Sequence, residues 1–271
     1  MMIDMHTHIF NKEMWESYQK RAGKNKIDKV IVIPWFNKSI ADEPDTEDLL
    51  KFTDTDDRLF ALGSIDMDDN IKNELSYHEN LLKNEKILGI KLYPGYQYFY
   101  PSDKAVYPIA ELCGKYNKPL VFHSGDVYGP ESDPQLKYSN PIHIDEIAMK
   151  FPKTKIVISH FGFPYLLETA NIMMKNANVF ADISGNLDTY TNSPQDLKKM
   201  VHQFTLEFQR IFNIYPKLKA KVMFGTDYCG EHTPLNQVQV YINLIKSVLS
   251  PKEREIVFYK LADELYFGQK N

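Results

Sequence analysis

The chain has 271 residues, enough for one large α/β barrel or two ordinary domains, and 43% hydrophobic against 25% charged residues is an ordinary globular balance. A formal net charge of −4, from 32 basic against 36 acidic residues, gives no support for a nucleic-acid surface, and no apolar run is long enough to span a bilayer. With only Cys113 and Cys229 there is no disulfide framework, and with no charged-then-apolar leader the plain expectation is a soluble, cytoplasmic protein.

The first predicted element is a strand, Ile3-Asp4-Met5-His6-Thr7-His8-Ile9. Strand side chains alternate between faces, so His6 and His8, two residues apart, point the same way. Two neutral imidazoles at the C-terminal end of one strand form half of a divalent-metal site. Residues 12–25 are polar and read as a helix. Asp28 to Pro34 reads as a buried strand stopped by proline. Residues 45–57 can hold a helix around Leu49, Leu50 and Phe52, and Leu59 to Ile65 supplies a third strand. An amphipathic helix over 71–84 leads to the fourth strand, Ile87 to Tyr93, ended by Pro94-Gly95. Tyr107-Pro108 then opens a helix with proline in its first turn.

The second half repeats the pattern. Pro119 to His123 is the fifth strand, and a loop leads to a helix near 142–150. Lys155 to His160 is the sixth strand and Val179 to Ser184 the seventh. Ser193-Pro194 caps a helix whose Leu197, Val201, Phe204, Phe208 and Ile211 form one stripe. Lys221 to Asp227 is the eighth strand, Thr233-Pro234 starts its helix, and Ser250-Pro251-Lys252-Glu253 matches a capping box for an extra C-terminal helix. Eight strand–helix units over 271 residues, about 34 each, predict a single (β/α)₈ TIM barrel. No linker or composition break splits residues 1–271, which are read as one domain. A doubly wound open sheet competes with the barrel. It usually brings a glycine-rich phosphate loop after the first strand, where this chain carries two histidines.

In such barrels the site is built where the strands finish. The strand ends here supply His6 and His8, Lys91, His123, His160 and Asp227. These include four of the eight histidines; His78, His143, His202 and His232 fall in helices and loops and read as surface or supporting residues. Aromatic residues crowd the same end. Trp35 and Phe36 follow the second strand, and Tyr93, Tyr96, Tyr98, Phe99 and Tyr100 make up the loop after the fourth. Tyr128, Tyr165 and Tyr228 follow the fifth, sixth and eighth strands. Such a rim suits a flat, aromatic or weakly polar substrate, and equally a cover for the barrel mouth or a homodimer interface. Arg21, Arg58, Arg210 and Arg254 all lie away from the strand ends, which argues against a phosphorylated substrate.

The succession His-x-His, Gly-Ile-Lys-Leu-Tyr-Pro, His-Ser-Gly, Ser-His-Phe-Gly, Asp-Ile-Ser-Gly and Gly-Thr-Asp-Tyr resembles the amidohydrolase superfamily, in its amidohydrolase-related branch of metal-dependent TIM-barrel hydrolases. The likeness runs from Ile3 to about Phe267. It implies one divalent metal, usually zinc with manganese or iron as alternatives, held by His6, His8, His123 and Asp227. It also implies that His160 lies beside the metal-bound water. Three imidazoles and a carboxylate do suit zinc better than calcium or magnesium. Asp227 can accept a proton from the activated water and return it to the leaving group, while His160 can steady an oxyanion or the attacking hydroxide. Asp182 and Ser184 can hydrogen-bond the metal ligands from behind.

Lys91 stays open between three readings: a carbamate bridging a second metal, which is not expected here, a substrate contact, or an ion pair with Asp66 or Asp126. It is counted with Tyr93, Tyr96 and Trp35 as a substrate-binding candidate. Cys229 is left outside the site. The expected activity is hydrolysis of an amide, ester or lactone-type bond in a small molecule. The alternative is non-oxidative decarboxylation of an aromatic or unsaturated acid. Decarboxylases of this branch tend to be longer and many replace the first histidine by glutamate, whereas this chain keeps His6. A metal-binding barrel without chemistry is the third possibility.

Overall fold

The computed structural model describes residues 1–36, 44–127, 133–187, 193–230 and 237–268. Tyr128, His232 and the helix start at Thr233-Pro234 lie outside the described residues. The strands are β1 (Ile3–Thr7), β2 (Lys29–Val32), β3 (Leu59–Ala61), β4 (Gly63–Ser64), β5 (Ile90–Leu92), β6 (Leu120–Phe122), β7 (Ile156–Ile158), β8 (Val179–Asp182) and β9 (Val222–Met223). Every strand pair joined in a ladder is parallel.

The third predicted strand is broken at Leu62. β3 pairs with β2 and β4 pairs with β5, so the ladder divides into β1-β2-β3 and β4 through β9. Backbone bonds carry the sheet across that break: Leu62 N donates to Val32 O at 2.9 Å and Leu88 N to Ala61 O at 2.9 Å. The other seam joins the two ends of the chain. Met5 N donates to Phe224 O (3.2 Å), Asp227 N to His6 O (2.8 Å) and His8 N to Tyr228 O (2.7 Å). The eight units therefore form a ring, a (β/α)₈ barrel, as the spacing of the elements predicts.

Strand alternation sorts the core into two shells. Outward Val30, Val32, Ile90, Leu92, Leu120, Phe122, Ile156 and Ile158 pack beneath the helices. Inward Ile3, Met5, Ile31, Val121, Val157 and Met223 fill the barrel, where they meet Leu261, Leu265 and Tyr266 from the end of the chain. Burying an aliphatic side chain of this kind is worth roughly 1.5–3 kcal/mol.

The helices follow the expected signals. α1 (Lys12–Ala22) is capped by Asn11, which accepts from Met14 N, and ends at Gly23 with φ +58°. α2 (Thr46–Thr53) has Asp45 as its cap, and α3 (Ile71–Lys83) has Asn70. α4 (Tyr107–Lys115) carries proline in its first turn. After the short α5 (Leu136–Ser139) come α6 (Ile144–Lys150), α7 (Leu166–Lys175), α8 (Pro194–Ile214) and α9 (Gln237–Val248). In α8 the predicted stripe turns inward, with Phe204, Phe208 and Ile211 buried. The capping box forms at α10 (Pro251–Glu255), where Ser250 N donates to Glu253 Oε2 at 2.7 Å. Helical turns continue from there as wider π-type segments over Ile256–Lys260 and Asp263–Phe267. This extra helix places Leu261, Leu265 and Tyr266 in the barrel interior, while Val257 and Phe258 join the outer shell. Among the described residues, no helix is long and apolar enough to cross a membrane.

Candidate active site

The site lies beyond the C-terminal ends of the strands, and β1 shows how it is made. Ile3 and Met5 face the barrel interior, yet His6 also turns toward its mouth, which simple alternation forbids. A register shift between Asp4 and Thr7 resolves the conflict. Asp4 holds it in place: fully buried, it accepts from Thr226 N (3.0 Å), Thr226 Oγ1 (2.7 Å), Tyr18 OH (2.7 Å) and His6 N (3.4 Å). That tie of β1 to α1 and to the loop after β9 was not anticipated from the sequence. Its signal was an aspartate inside an apolar strand.

Each imidazole of the pair is fixed through Nδ1. His6 Nδ1 lies 3.2 Å from Asp182 Oδ2 and 3.1 Å from Ser184 Oγ, and His8 Nδ1 donates to Ile33 O at 2.9 Å. Nδ1 therefore carries a proton in both rings, which leaves Nε2 of each as the atom that can ligate a cation. The two Nε2 atoms converge on one oxygen, Asp227 Oδ1, at 3.4 and 3.3 Å. The His6 Nε2 atom is buried and has no hydrogen-bond partner. Burial lowers the His6 pKa to about 4, so the ring is neutral at physiological pH. Asp182 behind it is driven well below the carboxylate range: burial opposes this, and His6 with its hydrogen bonds outweighs burial.

Asp227 is four residues beyond β9, because the predicted eighth strand leaves the ladder after Met223. It adopts φ +57°, an unusual conformation for a residue with a side chain. Burial pushes its carboxyl up, but His160, His6 and His8 around it hold it well below the usual range. Its second oxygen, Oδ2, lies 3.8 Å from His160 Nδ1. His160 is also left-handed, at φ +59°, and its Nδ1 is 3.2 Å from Ser184 O. Gly185, at φ +68°, allows this packing: a Cβ there would meet His160 Nδ1 at 2.4 Å and Asp227 Oδ2 at 2.9 Å.

Of the predicted ligands, His6, His8 and Asp227 offer atoms within 4.8 Å of one another, and His123 is not in that group. His123 directly follows β6, across the barrel from β1, and donates Nε2–H to Asp126 O at 2.9 Å. Its ring is 5.0 Å from that of His160, and burial, then His160, lowers its pKa well below the ordinary value. A second triad, His6, His160 and Asp182, is equally compact.

A cavity of about 170 Å³ opens on these groups and is also lined by Trp35, Lys91, Tyr93, Tyr96 and Cys229. Cys229, set outside the site in the sequence reading, lines it because the chain turns back over Asp227. Lys91 does not take Asp66 or Asp126 as its partner. Its Nζ donates to Ser159 Oγ at 2.6 Å, and the carboxylates acting on it through space are Asp182 and Asp227. Only part of the aromatic loop reaches the cavity. Tyr98 stacks on Tyr138 and Tyr100 packs between Tyr138 and His143, while Tyr228 is buried against Tyr18. Among the other histidines, His78 is buried and hydrogen-bonds Glu74 O, and His202 is exposed on α8.

Comparison with known proteins agrees with this fold. An uncharacterized TIM-barrel protein from Bordetella bronchiseptica superposes with a TM-score of 0.73 at 18% identity, over 98% of each chain. A probable 2-pyrone-4,6-dicarboxylic acid hydrolase from Acinetobacter baumannii gives 0.65 at 15% identity, over 98% of this chain and 99% of that one. The 5-carboxyvanillate decarboxylase of Sphingomonas paucimobilis gives 0.59 at 14% identity, over 94% and 82%. Protein fluG of Emericella nidulans is 33% identical over 67 residues, a match spanning 25% of this chain and 7% of that protein. These structures share the fold. The amidohydrolase family model matches residues 3–268, and the chain belongs to the amidohydrolase family of metal-dependent enzymes.

Proposed function

We propose that the chain is a metal-dependent hydrolase that cleaves an amide, ester or lactone-type bond in a small molecule. The observation that carries this reading is the convergence of His6 Nε2, His8 Nε2 and Asp227 Oδ1 around a buried nitrogen with no hydrogen-bond partner. Leaving such an acceptor unsatisfied costs about 1–3 kcal/mol, a cost that a ligated cation removes. Two imidazoles and a carboxylate fit zinc first, with manganese or iron next, and because the two triads share His6 one ion is proposed. His123 is proposed as a further ligand: its Nε2–H is committed to Asp126 O, which leaves the lone pair on Nδ1. A divalent cation held by these residues would supply Lewis acidity and would lower the pKa of water toward ~7.

The chain's own groups do the rest. Asp227 is ionised at neutral pH, with Oδ1 turned to His6 and His8 and Oδ2 toward His160. It takes the proton of the attacking water and returns it to the leaving group. His160 keeps its proton on Nδ1, facing Ser184 O, so the neutral ring accepts at Nε2. It therefore orients a proton of the attacking water, whereas steadying an oxyanion requires the protonated ring. Trp35, Lys91, Tyr93 and Tyr96 are the proposed substrate contacts.

Decarboxylation of an aromatic or unsaturated acid is the second reading, favoured by the buried Lys91 cation in the same cavity. A cytoplasmic setting is proposed because two cysteines in 271 residues supply no disulfide framework. The deciding experiment is a panel of lactones, esters, amides and aromatic acids, run with zinc-supplemented protein. Acyl cleavage that chelation abolishes and zinc restores supports the hydrolase. Release of CO₂ selects the second reading, and no turnover with metal bound rejects both.

A further inference from the structure

We infer that a second copy of this chain docks on α8, the two helices running antiparallel about a twofold axis at Gln203. The dimer this makes is independent of the chemistry at the barrel mouth.

α8 turns Phe204, Phe208 and Ile211 inward and leaves its other side to solvent. At ~100° per residue, Asp196, Lys199, Met200, Gln203, Leu206, Glu207 and Arg210 share an arc of roughly 120° centred on Gln203. Leu206 stands 52% exposed in that strip. A groove of about 530 Å³ runs along its flank, between α8 and the start of α7. Phe163, Pro164, Leu166 and Leu167 form one wall, Met200 and Phe204 the other. Leu167 is itself 39% exposed, so apolar surface continues from the groove to the outside. An apolar groove rimmed by polar side chains, here Glu168, Gln203 and Glu207, marks a protein contact.

The order of charges along the strip identifies the partner. Laid antiparallel on its own copy about Gln203, α8 sets Asp196 opposite Arg210 of the partner subunit, and Lys199 opposite Glu207 of the partner subunit. The same register puts Met200 opposite Leu206 of the partner subunit, and that leucine enters the groove that Met200 lines. Each relation occurs twice, because the interface is isologous. A slip of one turn in either direction is repulsive: Lys199 then meets the partner's Arg210, or Asp196 the partner's Glu207. Asp196 and Lys199 already pair within the helix at 3.2 Å, and the partner's charges extend that pair into a row of four. Exposed ion pairs add little affinity but select partner and register, while the leucine in the groove supplies the apolar contact. A strip ~21 Å long and one helix wide buries less than the ~800 Å² per partner of a standard interface, so a dimer that dissociates at micromolar concentration is expected.

Sedimentation velocity of the full chain over roughly 1–100 µM tests the inference, and the parent should pass from monomer to dimer across that range. Lys199→Glu and Glu207→Lys each set like charges opposite one another, twice per dimer by symmetry. Each should weaken association by about tenfold or more. Combining the two substitutions restores opposite charges in exchanged order, so the double variant should return to within about threefold of the parent. Leu206→Asp should remove the dimer altogether, because it sets a charge in the groove. All three side chains are exposed, so circular dichroism should report the parental fold in every variant. A parent that stays monomeric at the top of the range leaves α8 for some other partner and overturns the inference. A dimer that withstands both single reversals or Leu206→Asp overturns it as well. So do folded single variants whose combination shows no rescue.

Discussion

Asp182 Oδ2 stands 3.2 Å from His6 Nδ1, and this contact decides which nitrogen of His6 is left for chemistry. With Nδ1–H facing a carboxylate, Nε2 presents its lone pair toward Asp227. Groups that orient a metal-binding imidazole in this way are typically worth 10- to 100-fold in metal affinity. Asp182→Asn should therefore weaken zinc binding by about that factor while the fold persists. Competition with a chromophoric chelator measures it, and an unchanged affinity would show that Asp182 only fills space.

Gly185 is the position where the smallest change should do the most local damage. Its φ of +68° already disfavours any side chain, and a Cβ would press on both His160 and Asp227. Gly185→Ala should lower kcat/KM by roughly 10²-fold, because displacements of the order of 1 Å at reacting groups cost that much. Circular dichroism should still report a folded barrel. Near-parental activity would mean that His160 and Asp227 tolerate displacement and that their close packing is incidental.

The aromatic loop divides into two halves with different expected phenotypes. Tyr96 lines the cavity, whereas Tyr98 is exposed and stacks on Tyr138. Tyr96→Ala should raise KM or shift substrate preference, with metal content unchanged. Tyr98→Ala should leave both as they are. If the two variants behave alike in steady-state kinetics, the loop acts as one structural unit.

The proposed Lys91 contact carries a pH signature. Burial lowers the Lys91 pKa to about 8, against the pull of Asp182 and Asp227. The charged form is the protonated one, so its attraction for a carboxylate is complete below that value and is lost as pH rises through it. KM for a carboxylate substrate should be flat from neutrality to about pH 8 and then climb up to tenfold per unit. KM for a neutral ester or amide should show no such limb. Identical profiles for the two substrate types would remove Lys91 from binding.

The barrel was legible in the repeat of eight strand–helix units, and its polar strand ends in the apolar runs they close. A histidine that ends an apolar run stands out, and His6, His8, His123 and His160 were found in that way. Features created by departures from regularity were not. The shifted register in β1, the break at Leu62 and the early exit of the chain after Met223 are tertiary compromises that leave no periodic trace. Cys229 reaches the cavity only through the left-handed turn at Asp227. The partner of Lys91 was misjudged for a related reason. Asp66 and Asp126 are near in sequence to other strand ends, whereas Ser159 on the next strand but one lies within reach of its Nζ.

The central claim is that His6, His8 and Asp227 hold one divalent ion. It is tested most directly by elemental analysis of zinc-reconstituted protein after gel filtration, comparing the parent chain with His8→Ala. About one zinc per chain is expected in the parent, falling below half in the variant, because three donors lose one of their number. Parent protein that retains no metal, or a His8→Ala variant with the parental zinc content, would contradict the claim.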